Sequence, residues 1–175
     1  MHRDAHISSC GNYRYWLSRV WDESRQCGVW VMLNPSTADA MNDDPTVRRV
    51  VGLSRSWGWG RIKVFNLFAL RSHNPAALAD HEDPVGPEND AQLRNIPTDS
   101  AIVAAWGNWG AYLGRAECVR SLFGATGVEL LCIGLNKGGS PKHPLRVGRG
   151  VRPVPYSCTP VTLLSSGGPL AAKEA

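Results

Sequence analysis

No run of apolar residues approaches the roughly 20 that a membrane helix requires. The N-terminal stretch MHRDAHISSCGNYRYW lacks the basic-then-apolar order of a secretory leader. A cytoplasmic protein with no membrane partner is therefore expected. The five cysteines (Cys10, Cys27, Cys118, Cys132, Cys158) are odd in number, scattered and nowhere arranged as C-x-x-C. That spacing argues against a disulfide framework or a structural zinc site and leaves reduced thiols acting as small apolar side chains. Lysine is scarce: Lys63, Lys137 and Lys142 are the only lysines before the last few residues, so arginine supplies most of the nineteen cations and of the net charge of +4. Arginine suits bidentate contact with phosphate, so the excess permits a polyanionic partner without requiring one.

What is present is a chain of 175 residues, 43% hydrophobic and 19% charged, enough for one domain with a real core and too apolar for intrinsic disorder. Four short runs rich in β-branched and aromatic residues read as buried strands: 29–33, 62–65, 101–106 and 128–133. Helical spacing lies between them. Residues 46–57 carry Val47, Val50, Val51 and Trp57 on one face, behind Asp44-Pro45, an N-cap followed by proline at the first helical position. Residues 112–123 repeat the pattern and meet Gly124. Residues 74–95, broken by Pro75, Pro84 and Pro87, read as a long loop with short helices. Alternation of strand and helix predicts an α/β fold, a three-layer sandwich around a mainly parallel four-stranded sheet. Residues 13–21 are expected to add an antiparallel edge strand. Residues 1–156 form the single expected domain, and residues 157–175, without periodicity, a flexible tail.

The strand exits are the informative feature. The first run exits into Asn34-Pro35-Ser36-Thr37, the second into Asn66-Leu67-Phe68-Ala69-Leu70-Arg71, the third into Gly107-Asn108-Trp109-Gly110. The fourth leads to Asn136-Lys137-Gly138-Gly139-Ser140-Pro141-Lys142-His143-Pro144. In an open parallel sheet ligands bind outside the carboxyl ends of the strands, so four polar exits on one edge predict a pocket there.

These exits resemble the motifs of the uracil-DNA glycosylase superfamily, in its mismatch-specific branch. Asn34-Pro35 resembles the first motif, Asn66 the asparagine that reads the edge of an extruded base, Trp106-Gly107-Asn108 the third strand's exit, and His143-Pro144-Leu145 the histidine-proline motif. The sequence also resembles a bacterial and phage domain family without an assigned activity, which shares LNPSTAD, DDPT, NLFALR, AAWG and PKHPL. Two departures stand out: Asn136 to Pro141 intervene before the histidine, and Asn34 replaces the aspartate of the strongly water-activating branch.

The resemblance implies a monomeric DNA glycosylase that needs no metal or other cofactor. Its partner would be duplex DNA with an extruded base, a phage-type modified pyrimidine included. Asn34 would position water, with Asp39, Asp43 or Asp44 as the base that deprotonates it, and neutral His143 or the amides of the Gly138-Gly139 loop would stabilise the departing base. Pro35, Ser36, Asn66, Phe68, Asn108 and Trp109 would hold the base. Arg48, Arg71, Lys137, Gly138, Gly139, Ser140 and Lys142 would hold phosphates. Each has a plainer reading. Asn34-Pro35 fits a turn, Asp44 an N-cap, Asp39 and Asp43 solvated loop charges, His143 a surface loop, and Arg48 a solvated helix face. Hydrolysis of free nucleosides or nucleotides, non-catalytic reading of a modified base, and metal-dependent phosphoester chemistry on the three aspartates are the competing functions.

Overall fold

The computed structural model describes residues 1–156. The expected flexible tail, and Cys158 with it, lie outside them. Seven strands form one mixed sheet: β1 (His2–Ile7), β2 (Arg14–Val20), β3 (Cys27–Met32), β4 (Arg61–Asn66), β5 (Ala101–Ala104), β6 (Leu130–Cys132) and β7 (Val154–Pro155). Their order is β1-β2-β4-β3-β5-β6-β7. The four strands read from apolar runs are the parallel centre, β4-β3-β5-β6. They run apolar because both faces of this part of the sheet are covered.

Three antiparallel strands widen the sheet beyond the four expected. β2 is not an edge: it lies between β1 and β4 and pairs antiparallel with both. The edge is β1, whose sequence HRDAHI carries no apolar pattern because its outer half is exposed. On the other side β7 pairs with β6 over only two residues. Among the described residues no helix is long and apolar enough to cross a membrane.

Helix α1 (Pro45–Ser56) lies on one face and buries Val47, Val50 and Leu53 against Trp30, Met32, Ile62 and Val64. The predicted N-cap holds: Asp44 accepts from the Val47 N–H at 2.8 Å. Helices α2 (Asn89–Arg94) and α3 (Arg115–Gly124) cover the opposite face, where Leu93, Val119 and Phe123 pack on Val29, Val31, Phe65 and Ile102. Helix α3 begins three residues later than its periodicity suggests, because Leu113 and Gly114 both adopt left-handed backbone, at φ 53° and 63°. It ends at Gly124, where the sequence places its stop.

Most of the tryptophans serve packing. Trp30 stacks on Trp57 with centroids 5.3 Å apart, and Trp57 meets Trp59 edge-on at 5.1 Å. Trp59 in turn lies over Gly28 of β3, where an added Cβ would sit 1.9 Å from the indole ring. Gly28→Ala is therefore expected to overpack this face and lower stability by about 1–3 kcal/mol in urea denaturation. An unchanged midpoint would show that Trp59 is not fixed there.

Candidate functional site

The carboxyl ends of β3 and β5 open into a cleft with two compartments. The inner one, about 250 Å³, is lined by Asn34, Ser36, Asp44, Thr46, Ser72, His73 and Arg14 among others, and the outer one, about 810 Å³, by Asn108, Trp109, Asn136, Lys142 and Arg146. Leu33, Pro75, Trp106 and His143 border both.

Hydrogen bonds beyond the strand ends build the walls. Leu67 and Phe68 N–H groups donate to the Met32 and Leu33 carbonyls at 2.8 and 2.9 Å, prolonging β3 and β4 side by side. Asn34 then fastens the two exits. Its Nδ2 donates to the carbonyls of Ser72 (3.0 Å), Pro35 (3.1 Å) and, less closely, Leu70 (3.4 Å). Across the cleft the Gly107 N–H donates to the Pro141 carbonyl at 2.9 Å, which brings the segment carrying His143 to the exit of β5.

Four of the expected residues meet in the inner compartment: Asn34, Ser36, Asp44 and His143. Ser36 Oγ lies 3.2 Å from His73 Nδ1. Asp44 caps α1 through one oxygen and faces the cavity as well. The His143 Nδ1 accepts from the Leu145 N–H at 3.3 Å, so a neutral ring carries its proton on Nε2. Burial, then Arg146, lowers the His143 pKa, with Asp44 opposing. Asn108, Trp109 and Lys142 line the outer compartment; Asn108 Oδ1 accepts from Asn136 Nδ2 at 2.9 Å, and Trp109 is 45% exposed.

The other expected residues lie elsewhere, each for a local reason. Asn66 is fully buried beside Met32 in the parallel register and does not line the cleft. Phe68 turns into the core against Tyr112, because the chain after β4 continues the ladder with β3. Pro35 is buried and holds the Ser72 N–H by its carbonyl at 2.8 Å. The Asp39 carboxylate closes its own turn, accepting from the Met41 and Asn42 N–H groups at 2.7 and 2.8 Å, which lowers its pKa. Asp43 is taken by Arg19 at 2.7 Å. Arg71 donates to the Gly11 carbonyl at 3.1 Å, and Arg48 donates to the Asp43 carbonyl and borders a separate groove with Arg49 and Arg149. Gly138, Gly139 and Ser140 border a different hollow with Tyr156, and Lys137 is exposed outside the cleft. Among the described residues no three His, Cys, Asp or Glu side chains gather as metal ligands.

Sequence reasoning missed Arg14, Thr46, Ser72, His73 and Trp106 as cleft residues. For Arg14 the signal was a cation inside Tyr13-Arg14-Tyr15-Trp16-Leu17, which reads as an outward position in an alternating strand. The structure instead buries it to 2% exposure at the start of β2, where its N–H donates to the Ala69 carbonyl beyond the end of β4.

A family model described as a protein of unknown function (DUF1643) matches residues 14–145, a span that contains every cleft residue named above except Arg146. No curated protein and no solved structure matches the chain.

The His143 environment has a consequence for stability. The folded chain keeps this ring neutral below the usual value of 6.5, whereas the unfolded chain takes up the proton there. Since the unfolded state then binds more protons, acidification through that region costs stability, and raising the pH restores it. The stability difference between wild type and His143→Gln in urea should accordingly be more favourable to wild type at pH 7.5 than at pH 5. A difference that grows on acidification would contradict a ring held neutral by burial.

Proposed function

The chain belongs to the DUF1643 family, and from its cleft we propose that it hydrolyses the N-glycosidic bond of a damaged or modified base, most simply a pyrimidine, extruded from DNA. One observation carries this reading: His143 stands where a small inner compartment meets a larger outer one. The inner volume of about 250 Å³ lies below the roughly 300–1,000 Å³ of sites that take whole drug-sized ligands. A flat base fits such a space while its sugar and phosphates stay outside, as base flipping requires. The glycosidic bond would then lie near His143.

Hydrolysis breaks the bond between C1′ and the base nitrogen, and the electron pair leaves with the base. Neutral His143, donating from Nε2, supplies a fixed hydrogen bond to the base oxygen as negative charge develops. Such a donor is worth about 100- to 1,000-fold in rate. The water oxygen joins C1′, and Asp44, the cavity's carboxylate, takes its proton. The exposed Trp109 offers a face for a neighbouring base, a contact of about 1–3 kcal/mol. Lys142 and Arg146 in the outer compartment lead toward Arg49, which donates to the Val147 carbonyl at 2.5 Å, and on to Arg48 and Arg149. That line of cations suits a phosphate backbone.

Duplex oligonucleotides carrying uracil or hypermodified pyrimidines, incubated with the protein and treated with alkali, should break at the modified position. Asp44→Asn is the informative variant, because asparagine caps a helix as well as aspartate does and leaves α1 intact. It should slow single-turnover base release by about 100-fold or more, and His143→Ala should do likewise. Binding to DNA should weaken steeply from low to moderate salt as counterions are released. Wild-type turnover by Asp44→Asn, or flat salt dependence, would contradict the proposal. Base release from free nucleosides or nucleotides alone would move the substrate off DNA, and binding without turnover would make the protein a reader.

A further inference from the structure

Arg14 is the one arginine that both lines the inner compartment and lies almost wholly out of water, at 2% exposure. Of its five side-chain N–H groups, one donates to a protein oxygen among the described residues, Nη1 to the Ala38 carbonyl at 2.7 Å. Its Nε is buried with no partner, and it forms no ion pair among those residues. Arg19, its buried neighbour on β2, shows the contrast: that guanidinium is matched by Asp43 at 2.7 Å and by the carbonyls of Ser18 and Asp39. A buried cation is ordinarily paired, because desolvating it alone is costly.

Charges of both signs surround Arg14, and Asp44 is the strongest of them. Arg19 and Arg71 both act on it as like charges. Asp44 and Asp39 act in the opposite sense, yet both carboxylates are engaged by backbone N–H groups, Asp44 at the start of α1 and Asp39 in its own turn. Burial and these cations pull the Arg14 pKa down to about 10, which still leaves it charged at neutral pH. Thr46, in the first turn of α1, borders the same compartment, and first-turn N–H groups have no partner within the helix. An incompletely paired guanidinium thus borders one small space with the start of α1, where Pro45 has no N–H and Asp44 takes that of Val47, leaving the N–H of Thr46.

We infer that the inner compartment takes an oxyanion, a carboxylate or phosphate carried by the substrate, bound by Arg14 with Ser36 and Thr46 beside it. This binding does not depend on bond cleavage, so it stands or falls separately from the glycosidic reading. An oxyanion on the base itself would place the charge deepest and agrees with the glycosidic reading, whereas one on the sugar would put a phosphate where that reading puts the base and so exclude it.

Calorimetric titration of the full chain tests this with inorganic phosphate and with two matched pairs, orotate against uracil and deoxyuridine 5′-monophosphate against deoxyuridine. Phosphate should bind, and the anionic member of at least one pair should bind about ten- to a hundredfold more tightly than the neutral member. Preference within the first pair puts the charge on the base, within the second on the sugar. Arg14→Met, similar in length and apolar, should remove that preference. Equal binding of neutral and anionic members overturns the inference. So does Arg14→Met binding phosphate as wild type does, or keeping the anion preference. Should Arg14→Met not fold, Arg14→Lys, which keeps the charge and loses the fork, carries the same test: weaker phosphate binding supports the inference, and unchanged binding overturns it.

Discussion

The cleft depends on an ion pair beside it between the buried Arg19 and the partly buried Asp43. Arg19, wholly enclosed on β2, holds Asp43 at 2.7 Å and donates to the carbonyl of Asp39. Arg14, five residues earlier, donates to the carbonyl of Ala38. Two arginines on one strand thereby fix the 38–44 loop against the sheet. Removing one partner of a buried pair typically costs about 3–5 kcal/mol, because the other charge is left uncompensated. The loop delivers Asp44 to the start of α1, so its position sets one wall of the inner compartment. Asn34 sets another wall by joining the β3 exit to the β4 exit through the carbonyls of Ser72 and Leu70.

These contacts divide the loop carboxylates between structure and chemistry. Asp39 shapes a turn and Asp43 neutralises Arg19. Asp44 alone faces the cavity, with one oxygen holding the helix start. The same division applies to the cations. Arg19 is matched, whereas Arg14 borders the cavity and its buried Nε has no partner. Spacing in the sequence presents three aspartates and several arginines as equivalent; burial and hydrogen bonding separate them.

The centre of the fold was legible because four strands are covered on both faces and therefore read as unbroken apolar runs. Helix α1 was legible from Asp44-Pro45, a local signal that no tertiary contact overrides. β1 was not, since an edge strand with an exposed outer half needs no apolar pattern. At the site, residues immediately after a strand were read as facing a pocket. That holds for Asn34, Ser36 and Asn108 but not for Asn66 and Phe68, because the backbone after β4 continues hydrogen bonding to β3 and carries those side chains inward. Arg14 escaped notice because a charged residue in an alternating strand reads as solvent-facing, and only the loop laid over β2 reverses that.

The compartment between the ends of β3 and β5 is the claim on which mechanism and ligand both rest, and nuclear magnetic resonance mapping addresses it without assuming turnover. Titrating the isotope-labelled chain with a short duplex carrying a single extruded uracil should shift the amides of Thr46, Ser72, His73 and Gly107 and the indole N–H of Trp106 together, at one saturable concentration. Shifts confined to Gly138, Gly139 and Ser140, with the cleft resonances unmoved, would place binding in the hollow beside Tyr156 and contradict the cleft as the site.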